Sequence, residues 1–109
     1  MSAIREKNTR AGKYLAFHLG EELYGVHAMK VVAIIGDQPI TPLPQSPHHV
    51  RGLTLVRGKV VPVIDVRRRL GMQDVPATNE TCIILMNVGL GQIGIYVDAV
   101  QDVMDIAED

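Results

Sequence analysis

Apolar and polar residues alternate at period two along much of the chain, the pattern of strands that bury one face. Residues 13–19 put Leu15, Phe17 and Leu19 on one side and Tyr14, Ala16 and His18 on the other, which predicts a half-buried strand. The polar turn Gly20-Glu21-Glu22 separates it from a second β run at residues 23–26, so the two predict a hairpin. After a short connection, residues 31–35 form a β-branched run ended by Gly36. Pro39, Pro42, Pro44 and Pro47 follow. Each fixes its own φ and withholds an amide donor, which predicts a stiff, extended crossing over residues 37–47. Residues 52–56 and 59–66 are further apolar runs on either side of Arg57-Gly58. Pro62 inside the second assigns that strand to an edge or a bulge, because proline cannot donate to a central ladder. Residues 67–70, closed by Gly71, predict one helical turn with a glycine cap. Residues 72–80 are polar. Residues 82–88 and 93–97 predict a hairpin around Gly89-Leu90-Gly91-Gln92. Residues 99–106 fit a strand through Val100, Met104 and Ile106, or a helix face through Val100, Val103 and Met104. About seven short strands with almost no helical period predict an all-β barrel or sandwich, and small barrels are the expectation.

Composition narrows this. The chain has 109 residues, 47% hydrophobic and 21% charged, which suits one domain with a true core and excludes intrinsic disorder. Cys82 is the only cysteine, so an intrachain disulfide framework is excluded. No apolar run is long enough to cross a bilayer. Residues 1–12 form a polar tail without a signal-type apolar stretch. The expected compartment is the cytoplasm, with no direct membrane insertion. Eleven basic residues against twelve acidic leave a net charge of −1, with one Phe, three Tyr and no Trp. This balance gives no support for a nucleic-acid partner. The short cluster Arg67-Arg68-Arg69 reads as a solvated turn or helix start before it reads as a phosphate patch.

The candidates for chemistry are sparse. His48 and His49 are adjacent, and neighbours on a backbone rarely ligate one ion together, so a polar loop pair is the reading and no metal is expected. Cys82 lies in an apolar strand with no evident histidine or cation beside it, which describes a buried small hydrophobe rather than a thiolate nucleophile. Asp65 and Asp98 each end a valine-rich run. Paired carboxylates can perform acid–base chemistry, but strand-end aspartates usually bond to turn amides. No phosphate-cradling or dinucleotide glycine motif is present, and no cofactor is implied. The residues offer no enzyme. A small β-barrel with exposed edges works by docking other chains.

One stretch carries the reading further. Lys13-Tyr14-Leu15-Ala16-Phe17-His18-Leu19-Gly20-Glu21-Glu22-Leu23-Tyr24-Gly25-Val26 resembles the opening of the chemotaxis coupling protein family, the CheW-like domains. The likeness continues through Lys30-Val31, Ile34 and Gly36, and through the proline crossing Thr41-Pro42-Leu43-Pro44-Gln45-Ser46-Pro47. It includes Val56-Arg57-Gly58-Lys59-Val60-Val61-Pro62-Val63-Ile64-Asp65-Val66-Arg67, similar to the family's most recognisable block, and Gly94-Ile95-Tyr96-Val97-Asp98-Ala99-Val100. The blocks are collinear. This resemblance implies an all-β, CheW-like domain over residues 13–109, with two small SH3-like barrels sharing an apolar seam. It implies a non-enzymatic adaptor that bridges a methyl-accepting chemoreceptor's cytoplasmic tip and the regulatory domain of the CheA histidine kinase. The family's receptor-coupling arginine falls on Arg57, whose guanidinium offers fixed donors to a partner's carboxylate or carbonyls. Other family contact positions fall on Val31, Ile34, Cys82 and Val103, where core packing is an equal expectation. An exposed Val-Pro-Val edge at residues 61–63 would suit protein contact. The competing reading is a stand-alone or fragmentary module, for instance part of a signalling kinase, that does not couple receptors.

The chain also departs from the family. Ala33 stands where the family often has Glu, Ile35 where it has Arg, and Leu55 where it commonly has Asn. All three replacements are more apolar, on surfaces the family uses. Family members continue past the position of Asp109 through a closing strand and a terminal helix, so the first barrel is expected to be incomplete. Unpaired sheet edges attract other chains. The expectation is therefore a homo-oligomer built through first-barrel edges near residues 31–35 or 100–106.

Overall fold

The computed structural model describes residues 12–89 and 91–106. Eight strands follow in chain order: β1 (Gly12–Leu19), β2 (Glu22–His27), β3 (Val31–Gly36), β4 (Val50–Val56), β5 (Lys59–Asp65), β6 (Cys82–Val88), β7 (Gly91–Val97) and β8 (Ala99–Ile106). A 3-10 turn occupies Ala28–Lys30, and α1 (Val66–Arg69) is one turn of helix. The strands form two sheets, ordered β2-β1-β8 and β3-β6-β7-β5-β4. The first draws its strands from both ends of the described chain and the second from the contiguous middle. Ladders are antiparallel except β5–β7. The expected all-β fold is thus present, and its division into two sheets, of three and five strands among the described residues, is consistent with the expected two small barrel units. Of the predicted N-terminal tail, residues 1–12, residues 1–11 lie outside them, and Gly12 already belongs to β1.

The seam between the two units is β6. Cys82, Ile84 and Met86 point into a core shared with Leu15, Phe17, Leu19, Tyr24 and Val26 of the first sheet and with Ile95 and Val97 of β7. Ile83 and Leu85 are equally buried on the opposite face, where Ile83 and Val63 close over Gly94. A strand with water on neither side reads as a continuous apolar run, which is what residues 82–86 are.

β1 is also buried on both faces, where the sequence pattern predicts one. Tyr14 and Ala16 are as enclosed as Leu15 and Phe17. As the middle strand of its sheet, β1 has β2 and β8 on either side. The Tyr14 ring leans on His27, with centroids 4.5 Å apart. Residues 99–106 resolve as a strand, paired to β1 across a bulge between Ala16 and Phe17. Gln101 is the extra residue there, and its amide bonds the His18 ring.

The proline crossing shields an edge. Thr41 exchanges two backbone hydrogen bonds with Leu53 (2.8 and 2.9 Å), and Gln38 donates to the Leu55 carbonyl. The buried Thr54 hydroxyl donates to Pro39 O and accepts from Gln38. β4, the outer strand of its sheet, is therefore covered by the chain's own loop, one remedy for an exposed edge. The approach is so close that a Cβ at Gly52 would lie 2.1 Å from Thr41 O, and Gly52 itself has φ +147°.

Three details correct the sequence reading. β5 is an interior strand, yet Pro62 obeys the proline rule locally, because pairing with β7 begins only at Val63. Val61 and Val63 are buried, so residues 61–63 present no exposed apolar edge. The β6–β7 ladder runs to Val88–Gly91, so Gly91 and Gln92 belong to β7 and not to a four-residue connection.

Candidate partner-binding surface

Arg57 and Gly58 form the two-residue turn between Val56 and Lys59. Both have positive φ, +50° and +78°, the mirror-image geometry that matches the twist of a hairpin. Glycine adopts this freely. Arginine does so at a cost of about 1–2 kcal/mol. Arg57 is exposed and stands over an apolar groove of about 150 Å³, whose walls include Val32, Ala33, Ile35, Val56 and Leu85. Two of the three departures from the family, Ala33 and Ile35, thus line the groove that Arg57 overlooks. The third, Leu55, pairs with Val60 across β4–β5, and both are well exposed at 62% and 64%.

The remaining predicted contact positions divide. β3 and β6 run side by side, with Val31 opposite Met86, Ile34 opposite Ile84 and Cys82 opposite Gly36. Val31 packs against the shared core and Cys82 is buried within it. Burial pushes the Cys82 thiol up, which disfavours the thiolate, its nucleophilic form. Ile34 is half-exposed at 48%, and so is Val103 at 50%. Val103 lies on the other sheet, opposite Leu15. The structure therefore puts Val31, Ile34 and Cys82 on adjacent strands, Arg57 over the neighbouring groove, and Val103 on a separate sheet.

The strand-end aspartates bond to turn amides as expected. Asp65 accepts from Arg68 N at the start of α1, and Asp98 accepts from Gly20 N at 2.7 Å. What sequence reasoning missed is their arginine partners. Arg51 meets Asp65 at 2.8 Å while its guanidinium lies 4.0 Å above the Tyr96 ring. Arg67 meets Asp98 at 2.6 Å, and Arg68 meets Asp74 at 2.9 Å. Hydrogen bonding to arginine holds Asp98 and Asp74 below the usual carboxylate range. Hence Arg67 and Arg68 are not a solvated cluster: each is paired with a carboxylate and also donates to a backbone carbonyl. The signal available was the pairing of each Asp with an Arg that only the folded register brings near. Among the described residues, no group of three or more His, Cys, Asp or Glu side chains could hold a metal ion.

The site thus consists of two β units around a common strand, with an exposed arginine lining an apolar groove. Residues 13–109 match the CheW-like domain family, and the chain belongs to it. It is 37% identical over 94 residues to the chemotaxis protein CheW of Klebsiella aerogenes, covering 86% of this chain and 57% of that protein. To the probable chemotaxis protein CheW of Rhizobium etli it is 34% identical over 107 residues, 98% of this chain and 69% of the relative. The crystal structure of the scaffolding protein TtCheW from Thermoanaerobacter tengcongensis superposes with a TM-score of 0.84 at 34% identity, over 91% of this chain and 68% of that one. The chain thus spans a little over half to two-thirds of the length of these relatives.

Proposed function

We propose that this chain is an adaptor module of a cytoplasmic chemotaxis complex, binding the regulatory domain of a CheA-type histidine kinase and the cytoplasmic tip of a methyl-accepting chemoreceptor. It catalyses nothing; its output is the geometry in which it holds its partners. The observation that carries this reading is the match, along nearly the whole chain, to proteins named for chemotaxis and scaffolding.

Arg57 supplies the polar anchor. Five donors in a rigid fork suit a partner carboxylate or a row of carbonyls, and the groove beside it takes an apolar side chain. Exposed Ile34 and Val103 extend the contact, while Val31 and Cys82 support it from the core. Positive φ in a non-glycine residue supports a role for Arg57 beyond the turn itself, since such strain concentrates at working sites.

Titration calorimetry of the chain against a receptor tip and against the kinase regulatory domain tests this. We expect micromolar or tighter binding, weakened at least tenfold by Arg57→Ala without loss of fold, on the scale of a buried interface arginine. Absence of binding to both partners overturns the adaptor reading. Unchanged affinity in Arg57→Ala removes Arg57 from the interface.

A further inference from the structure

The chain passes from the five-stranded sheet to the three-stranded one through a single residue, Asp98, between Val97 of β7 and Ala99 of β8. Its carboxylate is the most heavily engaged group at that crossing. Arg67 Nε donates to Oδ1 at 2.9 Å and Nη2 to Oδ2 at 2.6 Å. Arg67 is itself anchored by Nη1 to the Gln73 carbonyl at 3.0 Å. Asp98 Oδ2 also accepts from Gly20 N in the β1–β2 turn, and Asp98 N donates to His18 O at 3.2 Å. The fit is close: a Cβ on Gly20, which has φ +63°, would lie 3.3 Å from Arg67 Nη2. Three pieces of chain therefore meet at one carboxylate: the turn of the first sheet, the crossing between sheets, and the helical turn that follows β5.

The apolar core between the sheets supplies attraction without direction. Bidentate arginine–carboxylate pairs supply direction, because two parallel bonds fix an orientation. The side chains are only 13% and 26% exposed, so water competes weakly. We infer that Arg67 and Asp98 are positioning residues, a clasp that sets the angle between the two sheets and hence the spacing of contact residues on either side, Arg57 and Ile34 on one and Val103 on the other. The link to partner binding rests on the adaptor reading above; the clasp itself does not.

Spin labels on Leu23→Cys and Lys59→Cys, one per sheet, in a Cys82→Ala background of the full chain, report the angle as a distance distribution. We expect one narrow distribution for the intact clasp and a broadened one for Arg67→Ala and for Asp98→Asn. The asparagine retains one acceptor, for Gly20 N, and loses both the charge and the second acceptor that the arginine fork needs. Arg67→Lys keeps the charge without the fork and should broaden it less, which also covers the case where Arg67→Ala does not fold. Affinity of Asp98→Asn for the kinase regulatory domain should fall at least tenfold, although neither clasp residue is placed at the contact. A distribution that stays narrow in Asp98→Asn and Arg67→Lys, with only a lower melting temperature, overturns the clasp. A broadened distribution with unchanged affinity overturns its positioning role. If the unaltered chain binds neither partner, the adaptor reading fails, and the distance measurement still decides the clasp.

Discussion

Arg57 and Gly52 show what a single position contributes when its backbone is constrained. Arg57 holds φ +50° in a two-residue turn, a conformation that asparagine tolerates several-fold better than most residues. Arg57→Asn should therefore leave the melting temperature unchanged or raise it slightly, while partner affinity falls as for alanine; calorimetry and a thermal melt check both halves. Gly52 is the opposite case. A methyl there meets Thr41 backbone at 2.1 and 2.7 Å, with φ +147° besides. Backbone must move, so Gly52→Ala should destabilise by about 2–4 kcal/mol, among the larger effects of single substitutions, measurable by urea unfolding. Neither consequence was legible in the sequence. The pattern shows glycine at a strand's start, but only the fold brings the crossing loop against it.

β6 carries the architecture. Because Ile83 and Ile84 are fully buried on opposite faces, truncating either opens a cavity in a different core. We expect Ile83→Ala and Ile84→Ala each to cost about 2–5 kcal/mol. Hydrogen exchange should show enhanced opening in the five-stranded sheet for the first and in β1 for the second. The strands themselves were legible, since alternation, proline and glycine punctuation locate nearly all of them. β1 was misjudged because alternation in residues 14–18 depends on counting Tyr and Ala as outward-facing, whereas both are buried in the fold. Residues 99–106 were ambiguous because Val100 and Met104 serve both periods; pairing with β1 decides for the strand. The ion pairs of α1 were not legible, because Arg67 and Asp98 are distant in sequence and nothing local marks them as neighbours.

The assembled molecule responds to acid through the same pairs. Hydrogen bonding by Arg67 is the main cause that holds Asp98 below its ordinary value of 3.8, with Gly20 N assisting. A carboxylate with a depressed folded value adds stability above its unfolded pKa and loses it as pH falls through the folded one. Melting temperature should therefore decline below pH 3.8, and Asp98→Asn should flatten that decline. β8 ends the three-stranded sheet, whereas β3, expected in the same unit, ends the five-stranded one because it pairs with β6; Val103, Met104 and Ile34 are half-exposed on these edges. Sedimentation equilibrium at micromolar concentration should give a homodimer that Val103→Lys dissociates; a compact monomer would refute edge-mediated assembly. The interleaving of the two sheets has a temporal side as well. The five-stranded unit is continuous in the chain, whereas β1 and β2 wait for β8. During synthesis β1 precedes β6 and β7, whose Ile84, Met86, Ile95 and Val97 complete its core, so Leu15, Phe17 and Leu19 face water until those strands have followed.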